Sequence, residues 1–312
     1  MEEWVVGIDL GATKIALGLI DPQNRIVART RTPTLPQEGP AAAVERIAAA
    51  VADLECELPA DVRLAGVGVC SPGPLDHISG VLLDPPNLTG WVNVPLRQML
   101  ADRLRLPVVL EHDAKAAALG EYHYGAGHGH ADMVYIVVGT GIGSAIILDG
   151  RLHRGQHNFA GEVGHITIRS GGDPCSCGNT GCVESFAAGP AIARAYRRRL
   201  AARGADDPAI TAADVVARAR QGDADALAVL ADAGEALGTA VATLAMILDI
   251  ELYVIGSSVA KAGDLLLAPA RAAVIHHAHC SVAERVRIVR SALEDDSPLL
   301  GCAWLARQNA AI

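Results

Sequence analysis

Apolar residues along this chain gather into short runs that end on glycine turns, and two of these stretches share one design. Trp4 to Asp9 predicts a strand that passes directly into Asp9-Leu10-Gly11-Ala12-Thr13-Lys14. Ile15 to Ile20 and Arg25 to Arg31 read as two further strands, with Asp21-Pro22-Gln23-Asn24 as the turn between them. The design returns where MVYIVV, from Met133, leads into Gly139-Thr140-Gly141-Ile142-Gly143 and SAIIL leads out. A third strand, Leu252 to Ile255, runs into Gly256-Ser257-Ser258 and a helical stretch from Val259. Helices are expected at about Pro40 to Glu57, Ala114 to Tyr124, Ala212 to Gln221, Ala224 to Leu248 and after Pro298. Further strands are expected at Leu64 to Val69, Leu106 to Leu110 and Val286 to Val289. This alternation predicts an α/β protein, and the matched hairpins imply two related domains with a nucleotide between them. No linker or low-complexity segment interrupts the pattern.

The turns carry the first candidate chemistry. A strand–glycine turn–strand hairpin differs from a P-loop, which leads into a helix. Its backbone N–H groups and the Thr13 hydroxyl can meet phosphate oxygens, while Asp9 can hold Mg²⁺ or its waters. The Gly256 turn, opening a helical stretch, suits an adenosine or phosphate contact at a helix N-terminus. Glu111-His112-Asp113 ends a strand, where α/β folds place their ligands, and Asp113 also stands in position to cap the helix that follows. The stiff loop Pro85-Pro86-Asn87-Leu88-Thr89-Gly90-Trp91 can form one wall of a sugar site, with Asn87 offering a donor and an acceptor.

The densest chemistry lies between Gly161 and Ser185. His165 is followed by Cys175, Cys177 and Cys182 among glycines, a complete tetrahedral set for a structural Zn²⁺. Glu162 and Glu184 flank the set, so a metal that fixes this loop also fixes two acceptors and a histidine. A disulfide is the alternative, but the acidic start Met1-Glu2-Glu3 points to a reducing cytoplasm, where zinc is favoured. Cys56, Cys70, Cys280 and Cys302 are isolated and read as small buried apolar residues.

Composition narrows the function classes. The chain has 312 residues, enough for two domains, and only 3% aromatics, so its core must be aliphatic and alanine-rich. With 26 basic against 35 acidic residues its formal charge is −9, which argues against a general nucleic-acid or anionic-membrane surface. No apolar run approaches the roughly 20 residues of a membrane span. The basic patch from Arg194 to Arg203 reads as a solvated helix face.

Together DLGATK, EHDAKAAALGE, VVGTGIGSAIILDG, GEVGHI and CSCGNTGCVES, in this order, resemble the ROK family of sugar kinases and related repressors. The resemblance covers nearly the whole chain, and its ExGH and CxCGxxGCxE motifs are highly specific. It implies an actin/hexokinase-like (ribonuclease H-like) two-lobed α/β fold with a nucleotide and sugar cleft between the lobes. Residues 1–112, completed by a helix at about 297–312, would form the N-terminal lobe, and 113–296 a larger lobe carrying the zinc loop. It also implies ATP-dependent phosphorylation of a hexose at its 6-hydroxyl, glucose by default, with Asp113 as general base. By the same resemblance Asn87, His112, Glu162, His165 and Glu184 contact the sugar. Gly11, Thr13, Lys14, Thr140 and Gly141 hold phosphates, Mg²⁺ accompanies ATP, and the protein is a homodimer or homotetramer.

Three positions depart from the family pattern: His112 where Asn is usual, Lys115 where a small polar residue is usual, and Ser257-Ser258 in place of Gly-Gly. His112 is bulkier than Asn and titratable, which bears on the sugar and keeps amino or N-acetylated hexoses as an alternative. Polyphosphate is an alternative donor. Family repressors carry a DNA-binding segment before the first phosphate turn; that turn begins here by residue 7, so a kinase is expected rather than a regulator.

Overall fold

The computed structural model describes residues 3–310. They divide into two compact units, one running to His128 and resuming at Asp295, the other Gly129–Glu294.

In the first unit the predicted hairpin is β1 (Trp4–Leu10), β2 (Lys14–Ile20) and β3 (Ile26–Pro33). There follow α1 (Gly39–Glu55), β4 (Leu64–Ser71), the short hairpin β5 (Leu75–Asp76) and β6 (Val81–Leu82), α2 (Leu96–Leu104), β7 (Val108–His112) and α3 (Asp113–Tyr124). The main sheet has the order β3-β2-β1-β4-β7. β1 is antiparallel to β2 and parallel to β4, and β4 is parallel to β7. Central β1 is buried on both faces, whereas edge strand β3 alternates half-buried and exposed positions. A continuous apolar run therefore marks a strand covered on both sides and strict alternation marks an edge.

The second unit repeats this plan. β8 (Met133–Val138), β9 (Ile142–Leu148) and β10 (Arg151–His153) form the hairpins. Then come α4 (Glu184–Ala187), α5 (Gly189–Ala201), α6 (Ala212–Arg220), α7 (Ala224–Leu248), β11 (Leu252–Gly256), α8 (Asp264–His277), α9 (Cys280–Ala283) and β12 (Arg287–Arg290). Its sheet runs β10-β9-β8-β11-β12, with β8 antiparallel to β9 and parallel to β11. Strand for strand this is the connectivity of the first unit. The chain then returns to the first unit as α10 (Ser297–Ala310).

Two expectations need correcting. The division expected between 112 and 113 falls after His128, because α3 packs on α10 and stays with the first unit. One helix, α7, is long and apolar enough to cross a membrane by length and composition, but 61% of its most apolar window is buried, and its residues form the spine of the second unit's core.

α10 reaches the first sheet through backbone contact. A Cβ added at Gly68 of β4 would overlap the carbonyl oxygen of Cys302, and one at Gly301 would overlap that of Ala116 in α3. No side chain larger than hydrogen fits at either position. Gly301→Ala is expected to destabilise the protein by about 3 kcal/mol through overpacking, seen as a lowered midpoint in thermal unfolding.

Candidate active site

In the first unit the site grows from strand register. β1 and β4 align Asp9 with Cys70, and β4 and β7 align Cys70 with Glu111 and Ser71 with His112. The carboxyl ends of three parallel strands therefore bring Asp9, Glu111, His112 and Asp113 to one rim. The β1–β2 turn closes with Gly11 N–H donating to Lys14 O at 3.0 Å. Thr34 braces it: its Oγ1 donates to Gly11 O at 2.7 Å and its N–H to Thr13 O at 3.1 Å. The side chains of Thr13 and Lys14 stay exposed, open to a ligand.

Asp9 is half-buried, and its carboxyl is pushed up to about 6, first by burial and then by the charge of Asp113. The Cys70 thiol, donating to Asp9 Oδ1 at 3.6 Å, and Lys14 oppose that shift. Asp113 begins α3; its Oδ1 accepts from Ala114 N at 2.6 Å, and its side chain is 43% exposed. His112 Nδ1 lies 3.0 Å from the same oxygen but out of hydrogen-bond alignment. Glu111 is buried and accepts from the His112 N–H at 2.8 Å, which fixes the backbone entering α3. Asn87 is exposed on a turn closed by Leu88 N–H to Pro85 O. Trp91 does not form a sugar wall. It is buried in the core and its indole N–H donates to Pro36 O at 3.1 Å, anchoring the loop.

In the second unit the Gly139–Gly141 turn closes with Gly139 N–H to Gly141 O at 2.9 Å, and Thr140 is exposed. The cysteine loop comes to this turn through Glu184. Its Oε2 accepts from Ile142 N at 2.8 Å and fills the place a Cβ on Gly141 would take. Oε1 accepts from Ser176 Oγ at 3.2 Å. Glu184, read from the sequence as a sugar contact, here ties the loop to the turn. Glu162 is exposed and leads into the single turn that carries His165.

His165, Cys175, Cys177 and Cys182 converge, with one ligand atom from each lying within 4.8 Å of the others. Cys177 Sγ is 3.8 Å from Cys182 Sγ, and Cys175 Sγ is 3.5 Å from His165 Nδ1. A tetrahedron of metal–sulfur bonds of about 2.3 Å has an edge near 3.8 Å, so the four residues fit a Zn²⁺-sized ion. Burial and the neighbouring sulfurs push the Cys182 thiol up to about 12.

Sequence reading missed the cavity beside this turn. A cavity of about 630 Å³ is lined by residues of α5, α6 and the segment Ser258–Ala262, together with Gly139 and Thr140. Gly189 N–H, at the start of α5, donates to Gly139 O at 2.8 Å, so this helix begins on the turn. Gly256, expected to touch nucleotide, is buried instead, and a Cβ there would overlap the Tyr135 hydroxyl. Ser258 and Val259 line the cavity in its place. The one available signal was spacing: Gly189, Ala193 and Arg197 on one face of α5.

The sequence model of the ROK family matches residues 5–309. A glucokinase of Halalkalibacterium halodurans is 36% identical over 318 residues, covering 99% of this chain and 96% of that protein. An N-acetylmannosamine kinase of Shigella flexneri is 34% identical over 304 residues, covering 97% and 98%. The crystal structure of a ROK family glucokinase from Streptomyces griseus, in complex with glucose and AMPPNP, matches with a TM-score of 0.85 at 33% identity, over 98% of this chain and 99% of that one.

The raised Asp9 carboxyl has a measurable consequence. The folded state holds this proton more tightly than the unfolded chain, so stability falls as pH rises from about 4 through 6, by about 1–3 kcal/mol. Asp9→Asn is expected to melt higher than the parent at pH 7.5 in magnesium-free buffer, with the gap closing below pH 4.

Proposed function

The chain belongs to the ROK family with its actin/hexokinase-like α/β fold, and we infer that it is an ATP-dependent hexose kinase acting on glucose, with Asp113 as general base. The observation that supports this role is the state of Asp113. One oxygen is held by the first turn of α3, while the half-exposed carboxylate stands on the rim that Asp9 and the Gly11–Lys14 turn share. The other oxygen, Oδ2, would receive the proton of the 6-hydroxyl. The reaction is chiefly positioning and charge stabilisation, with one carboxylate orienting the nucleophile.

Gly11, Thr13 and Lys14 in one unit, and Thr140 and Gly141 in the other, are the proposed phosphate contacts. Asp9 is the proposed holder of Mg²⁺, which supplies positive charge to the transferring phosphoryl group; that cation would also draw the Asp9 carboxyl back to its ionised form. Asn87, His112, Glu162, His165 and Glu184 are the proposed sugar contacts. His112 is the shape-setting one: a Cβ on Gly73 would lie 2.8 Å from its Cδ2, so the ring is packed against that glycine. This packing keeps an N-acetylated or amino hexose as the second reading, decided by turnover across a sugar panel.

Zn²⁺ is the proposed occupant of the His165, Cys175, Cys177 and Cys182 set, with a purely structural part. Three thiolates suit a reducing cytoplasm, and a homodimer or homotetramer is the expected assembly.

Asp113→Asn is expected to lower kcat at least about 100-fold while leaving glucose binding within a few-fold, measured by coupled ADP release and by calorimetry. Normal turnover would remove Asp113 from the mechanism. Cys177→Ser is expected to lose the metal, read by elemental analysis of the purified protein; an unchanged zinc content would exclude this set.

A further inference from the structure

The cavity beside the Gly139–Gly141 turn carries two arginines whose pairing sets them apart. Arg194 and Arg198 pair with Asp173, Arg199 and Arg203 with Asp225, and Arg218 with Asp207. Arg197 and Arg220 have no carboxylate partner among the described residues, and they are the two that line the cavity. Each guanidinium donates to a backbone carbonyl of the cavity wall, Arg197 to Pro208 O at 3.5 Å and Arg220 to Lys261 O at 2.7 Å.

Their position along the cavity is defined. α5 and α6 start side by side, since a Cβ on Gly189 would touch the Ala212 Cβ at 3.7 Å, and Gly189 itself bonds to the glycine turn. Arg197 and Arg220 each lie eight residues further along, about 12 Å from that end. With phosphates at the turn, guanidinia lining the cavity from these positions would meet the base.

The side chains lining the cavity include three cations, Arg197, Arg220 and Lys261, and no carboxylate. The Thr211 hydroxyl donates to Asp214 Oδ2 at 2.6 Å and accepts from Asp214 N, so it is committed to capping α6. Pro208 O and Lys261 O already accept from the arginines. The other lining hydroxyls, Thr140 and Ser258, lie at the turn: Thr140 within it, and Ser258 Oγ 3.9 Å from the place of a Cβ on Gly139. Adenine turns its 6-amino donor toward such a wall. A 6-oxopurine turns two acceptors, O6 and N7, the pair that arginine reads best.

Resting on the proposed function, in which Thr140 and Gly141 hold phosphates and the cavity beside them would take the base, we propose that Arg197 and Arg220 select the base, so that GTP and ITP serve as phosphoryl donors at least as well as ATP. The experiment measures glucose- and Mg²⁺-dependent turnover with ATP, GTP, ITP and polyphosphate for the parent, Arg197→Ala and Arg220→Ala. Calorimetric titration with a non-hydrolysable GTP analogue runs alongside. The expected result is a kcat/KM for GTP and ITP equal to or above that for ATP, falling about 10-fold more than the ATP value in each variant. Turnover with ATP but not with GTP or ITP would overturn the proposal, as would equal losses for all donors. A selective loss of polyphosphate use would overturn it too, making the arginines an anion track. If no donor supports turnover the kinase reading itself fails, and analogue binding lost in both variants would still support base selection.

Discussion

Backbone contact between α10 and the first sheet is the constraint on which the first unit's rim of polar residues rests. Glycines at 68 and 301 let the helix lie directly on β4 and α3, and the packing is closed by Ser297 Oγ donating to buried Glu121 at 2.8 Å. α3 begins with Asp113, so the proposed base takes its position from residues almost two hundred places later in the chain. The same helix covers Cys70, whose thiol donates to Asp9. The rim that gathers Asp9 and Asp113 is thus held by apolar packing beneath it, and burial first, then the charge of Asp113, raises the Asp9 carboxyl. A site with this charge density is less stable than a neutral one, which is the usual relation between function and fold.

In the second unit the equivalent constraint is polar. Glu184 bonds with one oxygen to the β9 backbone and with the other to the cysteine loop, so the metal-binding loop and the glycine turn form one mechanical piece. An ion at the four ligands would stiffen both together. The proposed metal ligands beside the proposed phosphate turn would then need no part in the chemistry to shape the place where it happens.

How much of this was legible depends on whether a signal is local. The hairpins were readable because apolar runs, Gly11 and Gly139 act within a few residues, and the convergence of His165, Cys175, Cys177 and Cys182 because spacing and side-chain type are themselves the signal. The helix–strand alternation gave the α/β class, and the resemblance in the glycine and cysteine motifs led to the family. What escaped was decided by packing across long separations. The alanine-rich α3 carries no mark saying which unit it joins, so its boundary was set too early. Gly256 reads like a nucleotide glycine until the Tyr135 hydroxyl is seen against it. Trp91, at the end of the loop read as a sugar wall, is core. Cys56 and Cys280, isolated like Cys70 and Cys302, are exposed where those two are buried. Arg197, hidden in a run of arginines, is distinguished only once the aspartates that neutralise its neighbours are in place.

The Ser257-Ser258 departure shows how a local rule is broken for a tertiary reason. Ser257 sits at φ 76°, a left-handed conformation that costs a non-glycine residue about 1 kcal/mol or more. Glycine would adopt it freely but leave a gap. The Ser257 Oγ lies 3.0 Å from where a Cβ on Gly139 would stand, so its hydroxyl fills the space that the glycine turn leaves open. The strain therefore offsets a void behind the turn, and Ser258 is carried to the cavity wall by the same backbone. Substituting glycine at 257 relieves the backbone and empties the support. The two effects oppose each other, and the turn, rather than overall stability, is where their difference would be felt.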